Sequence, residues 1–475
     1  MRSNYVKHIP IPWALAIIIG IPGTIAGQQG SFFPDPFPST YEPFPSRTTV
    51  IENATILTGT GQRIDGGSIL MQGGVITVVG TNVNVPTDAT VIDASGKWVT
   101  PGVIDTHSHL GNYPSPGIES QQDGNEMTDP NTAEVWAEHG VWPQDPGFGY
   151  ALAGGVTTLQ ILPGSGNLFG GRGVTLKNVP SRTVQGMKFP NAPHALKMAC
   201  GENPKRVYGG LGRAPSSAMG NGAGYRMGWI KAQKYLRDWQ QWWDSGSVPD
   251  DIPERDLQLE TLAAVLVGEV RVHNHCYRGD EMVNMINIAK EFGYSIASFH
   301  HAVSAYKVRD YLAENGICAS MWGSGNWGFK LEAWDGIEEN VGLVHEAGAC
   351  AIVHSDSPVE IQRLNQHSAI ALRAVREEGI DISYEEAIRW ITSNPAKSMG
   401  IDGHTGSIEE GKMGDIVIWT GNPFSVYTHA ENVFIDGALM YDRNAPDPII
   451  FGDFMVRMDQ EVGRWVAQTV LQAWY

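Results

Sequence analysis

Between Trp98 and about Ser398 the chain alternates short apolar runs with stretches of helical periodicity, and no other feature narrows its fold so far. The first run is Pro101-Gly102-Val103-Ile104-Asp105-Thr106-His107-Ser108-His109-Leu110. Seven more follow at Gly155–Leu162, Gly173–Lys177, Ala195–Cys200, Val270–His275, Ser295–His300, Ile317–Met321 and Cys350–His354. Strands separated by helices are the signature of repeated βα units, and eight is the number at which a parallel sheet closes into a barrel. Asp280–Phe292 has helical spacing, and Ser383-Tyr384-Glu385-Glu386 is a capping box opening a helix that runs to Thr392.

Shorter strands flank this region. Val50–Leu57, Ser68–Met71 and Val75–Val79 precede it, with Gly73-Gly74 as a hairpin turn, and Gly406–Ile408, Asp415–Trp419 and Asn432–Gly437 follow it. The predicted fold is a (β/α)8 TIM-type barrel over 99–402, with a small β-sandwich built from both ends of the chain, 49–98 and 403–446. Residues 28–48, rich in Pro, Phe, Ser and Gly, read as an extended linker. Residues 447–475 read as an amphipathic helical tail.

The first 27 residues have the form of a signal peptide. Arg2 and Lys7 precede an apolar stretch, and Thr24-Ile25-Ala26 offers a cleavage site. Export to the periplasm or beyond the cell is therefore expected, and no later segment is long and apolar enough to span a bilayer. The net charge of −18 argues against a nucleic-acid partner or a stable membrane partner. That leaves a small-molecule substrate and, at most, further copies of the same chain. Cys200, Cys276, Cys318 and Cys350 lie in or beside apolar runs and read as separate buried thiols rather than a disulfide framework. The long connection Arg206–Pro253 holds a Gly-rich part (Gly209–Gly224) and a Trp-rich helix, whose Trp239, Trp242 and Trp243 are read as packing.

In parallel barrels the chemistry sits at the C-terminal ends of the strands. Residues i and i+2 of a strand share a face, so His107 and His109 project together. The fourth strand offers Lys197 and then Glu202, the fifth His273 and His275, the sixth His300 and His301, and the eighth His354 and Asp356. Imidazole and carboxylate donors in this number suit a divalent cation, Zn²⁺ first among them. The glycines of Gly170-Gly171-Arg172-Gly173 are read as a tight turn before the third strand.

With these motifs in hand the chain resembles the amidohydrolase superfamily, in its secreted branch near imidazolonepropionase and the prolidase-like dipeptidases. The resemblance runs from about Thr49 to Arg443. It is carried by Pro101–His109, Gly154-Gly155-Val156-Thr157-Thr158, Asn394-Pro395-Ala396-Lys397 and Gly406–Asp415. It implies a distorted barrel with a terminal β-sandwich, and it implies roles. His107, His109, His275 and His301 would be metal ligands, His275 preferred to His273 by the following Cys276–Asp280 and His301 to His300 by Ala302–Tyr306. Asp356 would bind metal and accept the proton of the attacking water. On the fourth strand a carboxylated Lys197 or the carboxylate of Glu202 would complete the site around one or two ions, with Glu202 slightly preferred because it needs no modification. His301 or His354 would help hold an oxyanion. The implied activity is metal-assisted hydrolysis of an amide or cyclic amide C–N bond, with a dipeptide or N-acyl amino acid among the substrates. A deaminase, a lactonase and a non-catalytic metal-binding protein are the alternatives.

Overall fold

The structure is a computed structural model that describes residues 34–445 apart from 116, 326, 327 and 329. The expected signal peptide and helical tail lie outside the described residues, as does the start of the expected linker. Five strands come first: β1 (Thr49–Leu57), β2 (Arg63–Gln72), β3 (Val75–Gly80), β4 (Thr90–Asp93) and β5 (Trp98–Pro101). The barrel strands are β6 (Val103–Ser108), β7 (Val156–Ile161), β8 (Phe169–Lys177), β9 (His194–Ala199), β10 (Val270–Cys276), β11 (Ile296–His301), β12 (Cys318–Met321) and β13 (Cys350–Val353). Then come β14 (Ile416–Trp419), β15 (Ala430–Ile435) and β16 (Ala438–Asp442). The first five and the last three form one sheet in the order β16-β15-β14-β5-β1-β2-β3, with β4 beside β1.

Period-two alternation explains how this sheet docks. Ile416, Ile418 and Phe434 pack with Ile51, Ile69 and Val99 in a core of the terminal strands. The intervening Val417, Trp419, Val433 and Ile435 join the barrel's own core. One face therefore serves each layer, and each fully buried aliphatic side chain contributes about 1.5–3 kcal/mol.

Helices α1 (Pro146–Ala153), α2 (Glu202–Gly210), α3 (Ala218–Asp244), α4 (Leu257–Leu266), α5 (Gly279–Phe292), α6 (Arg309–Glu314), α7 (Asn340–Glu346) and α8 (Leu364–Glu377) fill the connections. The Gly-rich stretch before the tryptophans ends α2 and opens α3, and the glycines of α3 let it approach the barrel closely. A Cβ on Gly224 would lie 2.3 Å from Leu168, and one on Gly228 would lie 2.7 Å from Phe169. Trp229 and Trp239 are buried, and Trp242 and Trp243 pack beside Trp239 against α4. Among the described residues no helix is long and apolar enough to cross a membrane.

The barrel departs from an all-parallel design at its third strand. Strand β8 runs antiparallel to both β7 and β9, so no helix is needed on either side of it. Gly170 and Gly171 lie inside this strand and not in a turn before it. Gly171 has φ +112°, and a Cβ there would meet the Val135 carbonyl at 2.4 Å, so the position accommodates a crossing loop.

The cysteines also differ from expectation. Cys200 pairs with Cys276, and Cys318 with Cys350. Cys318 and Cys350 face each other in register on neighbouring strands, a proximity that a sequence separation of 32 conceals.

Hydrogen-bonded pairing runs from β6 through β13. The seam between those two end strands is closed by Asp105. Its carboxyl accepts from the backbone N–H groups of His107 (3.1 Å) and Ser355 (3.2 Å) and from the Ser355 hydroxyl (2.5 Å). The Asp356 N–H adds a bond of 3.0 Å to the His107 carbonyl. One buried carboxyl thus ties the first histidine strand to the loop that carries Asp356.

The described part of the expected linker, 34–48, is packed rather than free. The Tyr41 hydroxyl donates to Asp436 (2.5 Å), and Asp436 and Asp415 enclose the buried Lys177 ammonium at 2.8 and 3.2 Å. Farther along, Asp35 accepts from Lys188 (2.6 Å) and His194 (3.1 Å). Burial alone would raise the Asp35 carboxyl, but these bonds and charges hold it well below the usual carboxylate range.

Two predictions follow from these ties. Asp105→Ala leaves three buried donors without an acceptor and should lower stability by about 3 kcal/mol in a denaturant titration; a loss below about 1 kcal/mol would show that the seam closes without it. For Asp35, a carboxyl depressed in the folded state adds stability above its unfolded pKa of about 3.9 and loses it as the pH falls below that value. The melting-temperature gap between wild type and Asp35→Asn should therefore be widest near neutrality and narrow steadily in acid, as calorimetry across that range would show. A gap that does not change with pH would remove the carboxylate from the account.

Candidate metal centre

The interior-facing side chains at the C-terminal ends of β6, β9, β10, β11 and β13 converge. His107 is fully buried, and its Nε2 lies 3.3 Å from the Lys197 ammonium nitrogen and 3.5 Å from Asp356 Oδ1. His109 Nε2 lies 3.2 Å from the same carboxylate oxygen, and its Nδ1 is fixed by a 2.8 Å bond to the Leu162 carbonyl. His301 Nδ1 approaches Asp356 Oδ2 at 3.8 Å. The His275 ring packs 4.6 Å from that of His301. Two sets of donor atoms lie close enough to share an ion: His107, His109 and Asp356, and His107, His301 and His354.

The donor set can be tested for fit without reference to any relative. Both ring nitrogens of His275, Nδ1 of His301 and Nδ1 of His354 are buried with no hydrogen-bond partner among the described residues. Native interiors rarely leave such atoms unsatisfied. Nitrogen lone pairs gathered with a carboxylate, beside a lysine, fit a divalent cation of the Zn²⁺ class.

Electrostatics agree. Burial drives the imidazoles of His107, His275 and His301 well below their ordinary range, so they stand neutral, as ligands must. Burial also brings the Lys197 amine down to about 7. Desolvation would raise the Asp356 carboxyl, but the hydrogen bond to His109 and the neighbouring charges of His109, His354 and Lys197 hold it below its usual value. The backbone is strained where it delivers these groups. His301 (φ +66°), Ala302 (φ +39°) and Asp356 (φ +56°) all occupy the left-handed region, a cost borne where side-chain direction matters.

The structure brings together His107, His109, Lys197, His275, His301 and Asp356. It does not bring Glu202 to them. Strand β9 ends at Ala199, and Gly201 (φ +75°) turns the chain so that Glu202 opens α2. Its backbone N–H donates to Glu332, and its carboxylate faces Lys330 at 3.7 Å. The preference for Glu202 over Lys197 is thus corrected: the strand delivers the lysine, and the turn carries the glutamate to the rim. His354, a strand-end donor to which the resemblance gave an oxyanion role, stands in the second donor set, and its Nε2 accepts the His301 N–H at 3.3 Å. His273 and His300 lie deeper, bonded to each other, and His300 is bonded in turn to His107. The His300-His301 doublet was the signal for that inner pair. Tyr113, Tyr277 and Trp322 line the cluster, Tyr113 edge-on to His109 and Trp322 stacked on His301.

Comparison with known proteins places this arrangement. Residues 319–441 match the model of an amidohydrolase family. The solved amidohydrolase of Thermotoga maritima MSB8 is 34% identical, with a TM-score of 0.76, over 83% of this chain and all of that one. The amidohydrolase tasK of Hapsidospora irregularis is 32% identical over 423 residues, which are 83% of this chain but 41% of that protein. The chain thus spans under half the length of that relative. A 5-methylthioadenosine/S-adenosylhomocysteine deaminase of Bacillus cereus (strain G9842) is 25% identical over 402 residues, covering 78% of this chain and 85% of that one. With a barrel and a terminal β-domain of the same kind, and full coverage of the Thermotoga structure, the chain belongs to the amidohydrolase superfamily of hydrolases, whose members use divalent metals.

Proposed function

We propose that this chain hydrolyses an amide or cyclic amide C–N bond in a small molecule, with dipeptides and N-acyl amino acids as the substrate class. Within the superfamily this sets it near imidazolonepropionase and the prolidase-like dipeptidases. The observation that carries the reading is the convergence of His107, His109, Lys197, His275, His301 and Asp356 from five strand ends on one pocket.

A divalent ion held by these groups, Zn²⁺ by preference, would supply Lewis acidity to a water and to the scissile carbonyl. The chain's own residues do the rest. Asp356 takes the proton from the attacking water, since its carboxylate is held ionised and is 27% exposed towards the pocket. It returns that proton to the leaving nitrogen. The histidines orient and do not compete for the proton, because burial keeps them neutral. His301 or His354 helps to hold the oxyanion of the tetrahedral stage. Lys197, free amine in part at neutral pH, can add to carbon dioxide: its Nζ forms the new N–C bond and releases a proton, and the resulting carbamate offers two oxygens for a second ion. Tyr113, Tyr277 and Trp322 exclude water from the flanks of the pocket.

Export remains part of the proposal, supported by the two disulfides, which persist in oxidising compartments. The deaminase reading stands second on the likeness to the Bacillus cereus enzyme, since attack of water on an amidine carbon asks the same of Asp356.

The purified protein should carry one or two divalent ions per chain by elemental analysis. Dialysis against a chelator should abolish hydrolysis of dipeptides or N-acyl amino acids, and Zn²⁺ should restore it. Asp356→Asn should retain its fold by circular dichroism and lose about 10²–10⁴-fold in kcat. Wild-type rates in that variant would exclude the proton-transfer role. Turnover confined to aminated purines in a substrate screen would move the assignment to the deaminases.

A further inference from the structure

Below the donor cluster three buried imidazoles form a line that the proposed chemistry leaves unused. His107 Nδ1 meets His300 Nδ1 at 2.9 Å, and His300 Nε2 meets His273 Nδ1 at 2.8 Å. All three side chains are completely buried. The line begins at the residue common to both donor sets and descends into the barrel along β11 and β10.

Two neutral imidazoles that meet nitrogen to nitrogen share a single proton, so one ring donates and the other accepts. A neutral ring carries its proton on one nitrogen only. The choice at any ring in the line therefore fixes the choice at every other. If His107 Nε2 presents its lone pair towards Lys197 and Asp356, then its Nδ1 must be the N–H. His300 Nδ1 then accepts and its Nε2 donates, and His273 accepts at Nδ1 and holds its proton on Nε2. With the protons in the opposite order, His107 would carry a hydrogen on Nε2 and could not bind a cation there.

We propose that His300 and His273 are positioning residues, an ordered imidazole relay that holds His107 as the Nδ1–H tautomer and so presents its Nε2 lone pair to the metal. In most metal sites a carboxylate or a backbone carbonyl fixes the ligand's tautomer. Here a second histidine does so, and a third fixes the second. At the inner end His273 Nδ1 faces His300, so the Ser398 backbone carbonyl that interacts with this ring favours a proton on Nε2, the state the relay requires. The preference is passed along the line through the two short N–N contacts. The inference rests on reading His107 as a metal ligand.

The relay predicts a graded result that simple packing does not. His300→Phe keeps a ring but no acceptor, and should weaken Zn²⁺ binding about 10–100-fold in competition with a chromophoric chelator. His300→Asn places an oxygen where Nδ1 stood, and should recover most of that loss although it fills less space. His273→Phe, one link removed, should lose less than His300→Phe. On the unmutated protein, two-bond ¹H–¹⁵N correlation of the Zn²⁺-loaded chain should show His300 and His273 both as Nε2–H tautomers. Either ring found as Nδ1–H overturns the relay, and so does His300→Phe binding Zn²⁺ as well as wild type, or His300→Asn binding it worse than His300→Phe. A wild-type chain that takes up no divalent ion would fell the metal-centre reading, and the relay with it; one that binds Zn²⁺ but ignores the state of His300 fells the relay alone.

Discussion

The structure depends on one awkward fact: a mass of imidazole has been taken out of water without enough partners. Four ring nitrogens of His275, His301 and His354 are buried and unbonded among the described residues. At about 1–3 kcal/mol each, four such atoms would cost about 4–12 kcal/mol if nothing ever satisfied them, which approaches the whole stability of a typical domain. A fold carrying that cost needs rigid walls, and it needs a reason. The walls are the strands, stapled across β9–β10 by Cys200–Cys276 and across β12–β13 by Cys318–Cys350. The reason we propose is a cation, which would take the lone pairs among these nitrogens as ligand bonds and leave only the ring N–H groups to be satisfied otherwise.

The same demand explains the seam. A barrel whose end strands do not pair must hold its first and last strand ends in fixed relation, because His107 belongs to one and Asp356 to the other. Asp105 does this from two residues before His107, using backbone N–H groups on both sides of the gap. Its carboxyl lies fully buried, and burial pushes it up to about 7. The three donors are what make a carboxyl tolerable there. The Asp-x-His-x-His order is therefore a structural statement as much as a chemical one: the residue that closes the barrel and those that face the pocket sit on one strand with period two.

What was legible in the amino-acid sequence was whatever depends on local periodicity. Apolar runs alternating with helices implied the barrel, and the His107–His109 spacing placed both rings on one face of a strand end. Direction and register were not legible, because hydrophobic pattern reads the same forwards and backwards. Strand β8 is as buried as its neighbours, and nothing in its composition records its antiparallel course. Cys318 and Cys350 became neighbours only through the pairing of two strands. Lys197 and Glu202 lie five positions apart, and only the left-handed turn at Gly201 shows that the first faces the pocket and the second the rim. At the His300-His301 doublet, strand geometry assigns adjacent residues to opposite sides. The positive φ of His301 breaks that rule and lets one ring join the donors while the other bonds to His107 from below.

If the site acts as we propose, its selectivity cannot come from its donors, since water attack at an amide carbonyl and at an amidine carbon would ask the same of Asp356 and its neighbours. It has to come from what surrounds them. The pocket walls are aromatic on two sides: Tyr113, whose hydroxyl accepts from Asn125 at 2.6 Å, and the stacked pair Tyr277 and Trp322. Beyond them the rim is ionic, with Glu202, Glu332, Lys205 and Lys330 interlinked. Under the proposed function, these walls would favour a flat, weakly polar group next to the reacting carbon, with charge accommodated farther out. The chain's net charge of −18 leaves this local order untouched, because exposed charges beyond about 8–10 Å are screened at ordinary ionic strength. On that proposal, substrate choice would belong to the segments after β6, β9 and β12, which carry Tyr113, Glu202 and Trp322. The strands beneath them would supply a reactivity indifferent to which C–N bond those segments admit.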